Sequence, residues 1–295
     1  MLKHALLATS RRLRLGAIER YWSAAFAAGG VGTWLREPVV RRYVNEAVTG
    51  SSECWPMEWL RDLMPATLER VVSLGCGDGA LERDIRRKAI SRFVLGIDLS
   101  AEALVLARDN ARAEGLDGIE YERQDLNDLV LAAGAFDAAF FHQALHHVEN
   151  LAGCLAMVAA SLKPQGILYL DEYIGPSRSE WRRRLIAEAD AIYQGLPSCV
   201  RRRRRLAMPV DWRDPSEATR SSHILTALEA RFSIAMRRDY GGTFLSVTYP
   251  HLDFSRVSPT ERDELLAKII DAERAHLEAG GQSYYAVLVA RPKDC

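Results

Sequence analysis

Val71-Val72-Ser73-Leu74-Gly75-Cys76-Gly77-Asp78-Gly79-Ala80 is an apolar run, too short for a buried helix, that enters a glycine cluster. The helical spacing of Leu81, Ile85 and Ala89 behind it places those glycines on a strand-to-helix turn, where glycine lets the backbone come close to a ligand. Nineteen residues after Gly79 stands Asp98, at the end of a second buried run, Phe93-Val94-Leu95-Gly96-Ile97. An acid at that distance can accept both hydroxyls of a ribose, so the pair of strands reads as a nucleotide site and its ligand as an adenosyl compound. The loop alone does not say which: G-x-G-x-G also satisfies the G-x-G-x-x-G/A spacing of dinucleotide proteins through Gly75, Gly77 and Ala80.

The order of the following segments narrows the choice. Gly118-Ile119-Glu120-Tyr121-Glu122 reads as a third strand leading to Gln124-Asp125-Leu126, and Phe136-Asp137-Ala138-Ala139-Phe140-Phe141-His142 as a fourth. Ala144-Leu145-His146-His147-Val148, a helix from about Asn150 and Leu162-Lys163-Pro164-Gln165-Gly166 come next, before a fifth apolar run. From Leu68 to Tyr173 this succession resembles the class I S-adenosylmethionine-dependent methyltransferase family. The resemblance implies an α/β, Rossmann-like, mostly parallel seven-stranded sheet flanked by helices, with S-adenosyl-L-methionine as cofactor. It implies cofactor contacts at Gly75, Cys76, Gly77 and Gly79, at the ribose acid Asp98 with Leu99, at the adenine-side Asp125 and Leu126, and from His142 and His147. Many members carry an acid two residues before the first glycine; here Ser73 stands there, leaving the methionine ammonium to backbone carbonyls near Gly75 and to water.

For methyl transfer to a hydroxyl, alignment of the acceptor is the larger contribution and a general base adds a factor of about 10²–10⁴. His146, Glu172 and Tyr173, at the ends of strands four and five, are the candidates for that chemistry, with an imidazole that caps a helix or supports a neighbouring side chain as the alternative for His146 and for His147. Asp171-Glu172-Tyr173-Ile174-Gly175-Pro176-Ser177-Arg178 is similar to a segment of a bacterial subgroup of the family, although a Gly-Pro pair is also ordinary loop punctuation.

Outside residues 68–173 the chain carries surplus. Residues 1–66, rich in Trp and Tyr and broken at Gly29-Gly30, Gly50 and Pro56, read as short helices packing on the core domain of 67–295. Two further segments, at about 174–230 and 240–281, leave carboxyl ends of strands and are expected to form helical caps over the acceptor. Ser258-Pro259-Thr260-Glu261 starts a helix with Leu265, Leu266, Ile269 and Ile270 on one face, and Asp214-Pro215-Ser216-Glu217 is read as starting another in the same way. Between Arg178 and Arg205 nine arginines face three acids; if Arg182, Arg183 and Arg184 line the pocket the acceptor is anionic, and otherwise they form a solvated face.

Charge is balanced, 39 basic against 39 acidic residues, which argues against a nucleic-acid coat protein. No N-P-P-Y, D-P-P-Y or Pro-Cys signature of base methylation is present. The five scattered cysteines indicate neither a disulfide framework nor a zinc site, so no metal is expected and a reducing cytoplasm fits. No apolar run approaches the length of a membrane span, and Leu2–Leu15, basic and without acids, is read as a leading helix rather than a transit peptide. The function expected is transfer of a methyl group to oxygen or nitrogen of a small-molecule or glycan-type acceptor. The alternatives are an NAD-dependent oxidoreductase and a non-catalytic cofactor-binding scaffold.

Overall fold

The computed structural model describes residues 2–28, 33–210 and 213–293; the Gly29-Gly30 break and Cys295 lie outside them, as do the side chains of Lys3, Arg11 and Arg12. Seven strands form one sheet: β1 (Leu68–Leu74), β2 (Ser91–Asp98), β3 (Ile119–Arg123), β4 (Phe136–His142), β5 (Leu162–Tyr173), β6 (Phe232–Gly241) and β7 (Tyr285–Pro292). Their spatial order is β3-β2-β1-β4-β5-β7-β6, parallel except for β7, which runs antiparallel to both neighbours. The central strands read as continuous apolar runs because both faces are covered. Val71, Ala138 and Phe140 enter the core on one face, and Val72, Leu74, Ala139 and Phe141 that on the other.

Among the described residues ten helices surround the sheet: α1 (Leu2–Ala27), α2 (Pro38–Thr49), α3 (Pro56–Leu63), α4 (Ala80–Arg87), α5 (Ala101–Ala113), α6 (Leu151–Ser161), α7 (Arg183–Gln194), α8 (Ile224–Glu229), α9 (Leu245–Thr248) and α10 (Pro259–Glu278). Gly50 ends α2 in the left-handed conformation and Pro56 opens α3, the two breaks expected there. Ser258 and Glu261 close the expected capping box on α10, whose Leu265, Leu266, Ile269 and Ile270 are buried. Helix α2 packs on α10 and β6, so the leading segment and the second insertion share one core.

Asp137 explains why two motif fragments far apart in sequence belong together. Its carboxylate accepts from the amides of Glu69 (3.1 Å) and Arg70 (2.8 Å) and from Nζ of Lys163 (2.7 Å), fastening the starts of β1, β4 and β5. Each such charge-assisted bond is worth about 1.5–3 kcal/mol.

One expected helix does not form. After Asp214 the chain makes turns as far as Arg220, because Oδ1 of Asp214 accepts from the amide (2.8 Å) and hydroxyl (2.6 Å) of Ser216, two residues on, and Ala218 sits at φ +47°. No helix among the described residues is long and apolar enough to cross a membrane.

Candidate active site

The glycine loop leaves β1 with Gly75, Gly77 and Gly79 at φ +76°, +54° and +77°. A side chain at Gly79 would collide with the Tyr121 hydroxyl and lie 2.9 Å from Cβ of Ala107, and one at Gly77 would sit 2.8 Å from Cζ of Phe26. Only glycine satisfies both the dihedral and the crowding. The carboxylate of Asp98 stands beside the loop, accepting from the amides of Gly77 (2.9 Å) and Ser100 (2.8 Å). Burial pushes its pKa up, and those amides pull it back. Each oxygen keeps a second lone pair, which fits a ribose diol. Leu126 lies within van der Waals reach of a Cβ at Gly75, and Asp125 accepts from the Asn127 amide and side chain at 2.9 Å. Leu99 offers its carbonyl to Arg123 (2.9 Å). Asp98 and Leu126, of the expected ribose and adenine residues, are therefore neighbours of the loop.

Beneath the loop the structure places a group that sequence reasoning missed. Glu82, on the first turn of α4, is fully buried; neither of its oxygens nor the hydroxyl of the nearby Tyr121 has a hydrogen-bond partner. Burial pushes the Glu82 carboxyl up to about 7 against the pull of the adjacent Ser73 hydroxyl. Its spacing from Ile85, one turn away on the same face, was the available signal.

Helix α1 lies along α5 and across the loop. Phe26 crowds Gly77, Ser23 bonds to Glu102 (2.5 Å) and meets Ser100 (3.2 Å), and Trp22 stands edge-on to His147 with centroids 5.0 Å apart. Arg14 pairs with Glu149 and Glu19 with Arg123.

On the other side of the β4 turn, Ala144 abuts the loop at Gly75, and His146 and His147 follow in a 3₁₀ turn. Glu172 is fully buried: one oxygen accepts from the amides of Ala144 (3.0 Å) and Leu145 (2.6 Å), the other from the Tyr173 amide (2.8 Å) and Nδ1 of His146. Tyr173 donates its hydroxyl to the Pro176 carbonyl at 2.8 Å. Of the three candidates for the chemistry, Glu172 and Tyr173 thus have their polar atoms committed inside the protein. Burial opposes charge on His146, but the Glu172 carboxylate overcomes it and favours the imidazolium. Burial and the neighbouring His146 push His147 down. His142 is half exposed, its Nε2 3.4 Å from the buried Asp171, which also accepts from Gln143 and Tyr240.

A cavity of about 110 Å³ opens here, lined by Tyr173, Arg178, Trp181, Glu217 and Tyr285 among others. The wider surface groove of about 310 Å³ between Glu149–Ala152 and Arg220–Ala230 contains none of the expected site residues. Glu217 comes from the turn that replaced the expected helix, and Asp214 and Ser216 of that turn face His147. Of the arginines, only Arg178 lines the cavity, and it donates to the carbonyls of Asp214 and Pro215, both at 3.0 Å. Arg182 and Arg183 are exposed, and Arg184, 91% exposed, pairs along its helix with Glu188. Because their helix turns that face outward, Arg182, Arg183 and Arg184 do not line the pocket.

Comparison with known proteins agrees with this geometry. Residues 72–170 match the methyltransferase domain family. The chain is 31% identical over 116 residues to a ubiquinone biosynthesis O-methyltransferase of Albidiferax ferrireducens, covering 38% of this chain and 44% of that protein. It is 32% identical over 127 residues to the protein of the same name from Xanthomonas axonopodis pv. citri, covering 39% and 52%. The chain thus spans about half the length of the curated relatives it matches. Among solved structures, geranyl diphosphate C-methyltransferase from Streptomyces coelicolor A3(2) superposes with a TM-score of 0.59 at 17% identity over 95% of this chain and 98% of that one. The [4+2]-cyclase SpnF gives 0.52 at 20% over 96% of each. These two likenesses speak to the fold, and the matched segment speaks to ancestry: residues 72–170 of the chain carry a methyltransferase domain.

Proposed function

We propose that the protein transfers a methyl group from S-adenosylmethionine to an oxygen or nitrogen of a small-molecule or glycan-type acceptor seated against Glu217. One observation carries this reading. Ala144 abuts Gly75 of the glycine loop while His146, two residues on, borders the cavity wall at Tyr173 and Glu217, so the donor cradle and the cavity lie on two sides of a single turn. When bound, the donor supplies a methyl group on a sulfonium. The protein's share is to hold an acceptor atom in line with that methyl, the larger part of the rate effect in such displacements.

On this reading Glu172 is a positioning residue that turns the His146 ring, and Tyr173 shapes the wall. The polar atoms left facing the acceptor are Nε2 of His146, Nε2 of His147 and the Glu217 carboxylate. Arg182, Arg183 and Arg184 lend no support to an anionic acceptor. The O-methyltransferase relatives favour oxygen as the accepting atom. The test is calorimetric titration with S-adenosylhomocysteine and with NADH, followed by incubation of labelled donor with a panel of phenols, sugars and amines. Saturable binding of S-adenosylhomocysteine and label on a hydroxylated acceptor are expected. Binding of NADH alone would overturn the reading, and tight S-adenosylhomocysteine binding with no transfer to any acceptor would favour a scaffold.

A further inference from the structure

No metal was expected from the cysteines, yet the fold brings together three ligand-type side chains from two distant segments. Nε2 of His146 and Nε2 of His147 each lie 3.9 Å from Oε2 of Glu217, and one ligand atom from each of the three residues falls within 4.8 Å of the others. Those separations are too long for hydrogen bonds.

The far side of each ring is already engaged. Nδ1 of His146 meets Glu172, and Nδ1 of His147 lies 3.2 Å from the Ser216 hydroxyl and 3.5 Å from Oδ2 of Asp214. A carboxylate behind one nitrogen fixes tautomer and ring orientation and leaves the other as a directed ligand, the arrangement found behind metal-bound imidazoles.

Charge points the same way. Glu172 is fully buried and Asp214 is 1% exposed, with Oδ2 of Asp214 lacking a hydrogen-bond partner. With Glu217 the cluster holds three carboxylates. Arg178 sits near them, on the carbonyls of Asp214 and Pro215. A cation between the rings and Glu217 would lie in the field of these carboxylates, which favours its binding.

We propose that His146, His147 and Glu217 form a site for one divalent transition-metal ion of the zinc, cobalt or iron(II) type. Two imidazoles and a carboxylate suit those ions better than magnesium or calcium, which take oxygen shells. Ligand bonds of about 2.0–2.2 Å in a tetrahedral site set donor atoms about 3.3 Å apart. The side chain of Glu217, 34% exposed, can make the closing movement. The remaining position faces the cavity that Glu217 lines, where the ion would hold an oxygen of the acceptor and lower its pKa. This last role rests on the proposed methyltransferase function; the ion site itself does not.

The experiment uses the full chain, stripped with a chelator and titrated with CoCl2 by visible absorption and with ZnCl2 by calorimetry, with S-adenosylhomocysteine binding measured on the same preparations. The expected result is one equivalent of cobalt, with ligand-field bands of a four- or five-coordinate nitrogen–oxygen site, displaced by zinc. Glu217→Gln should weaken cobalt binding at least tenfold, and Asp214→Asn by about 10–100-fold through loss of ring orientation. Absence of saturable cobalt or zinc binding to a wild-type protein that binds S-adenosylhomocysteine would overturn the metal site and leave the methyltransferase reading standing. So would binding that is unchanged in both Glu217→Gln and His147→Gln. Metal binding without S-adenosylhomocysteine binding would uphold the site and sink the methyltransferase reading.

Discussion

Replacing Glu82 by Gln should stabilise the protein at alkaline pH and leave it nearly unchanged in acid. The carboxyl is fully buried beneath the glycine loop, with both oxygens unpartnered, and its pKa rises from 4.5 to about 7. A carboxyl whose pKa is higher in the folded than in the unfolded state binds more protons when folded. Stability therefore falls as pH rises between the two values and stays low above the upper one. The rise corresponds to about 3 kcal/mol, fully lost by pH 8. Gln keeps the shape of the side chain without the charge, so the difference in unfolding free energy between variant and wild type isolates this group from other titrations. Urea unfolding at pH 5 and pH 8 measures it: about 0.8 kcal/mol in favour of Gln at pH 5, just above the unfolded value, and about 3 kcal/mol at pH 8. A difference that is the same at both pH values would refute the reasoning and mean that Glu82 is ionised or solvated in the native state.

Asp98→Ala should weaken S-adenosylhomocysteine binding at least tenfold, about 1.4 kcal/mol, by calorimetry, since it removes both the proposed ribose partner and the acceptor of the Gly77 and Ser100 amides. Gly79→Ala, forced to a positive φ against Tyr121, should lower stability by about 1–3 kcal/mol in thermal unfolding and lose cofactor affinity with it. The triple change of Arg182, Arg183 and Arg184 to Ala should leave the acceptor Michaelis constant and cofactor affinity within about threefold of wild type, because these side chains face solvent. Tyr240→Phe leaves the buried Asp171 one donor short and should cost about 1–3 kcal/mol in chemical denaturation, with little effect on cofactor binding.

The sheet was legible because its central strands are covered on both faces, so Val71–Leu74 and Phe136–Phe141 stand out as mainly apolar runs, each with a single polar residue, bounded by glycine or histidine turns. The surroundings of Asp98 were legible too, since a strand-to-helix loop and the end of the next parallel strand are neighbours by topology. What escaped were contacts between segments far apart in sequence. Asp214-Pro215-Ser216-Glu217 has the local letters of a helix start, but no long apolar stripe follows to hold a helix down, and the Asp214 side chain closes a turn instead. Glu217 reaches the histidines only because that turn forms. Glu172 was singled out for its position at the end of β5, which was sound; that its four hydrogen bonds all come from inside the protein depends on the backbone of Ala144 and Leu145, which no pattern displays. The arginine run was equally opaque, because helical spacing does not tell which side of α7 packs inward.

The two insertions are tied to one another as well as to the sheet. Arg201 and Leu252 form a short antiparallel bridge, flanked by bonds from Arg202 N to the His251 carbonyl (2.9 Å) and from Asp253 N to the Val200 carbonyl (2.8 Å). Tyr193 of α7 donates to the His251 carbonyl as well, at 3.1 Å. A chimera that exchanges one insertion for that of another protein would sever this seam and leave backbone groups on both sides unpaired. The two insertions are therefore a single cassette, to be exchanged together.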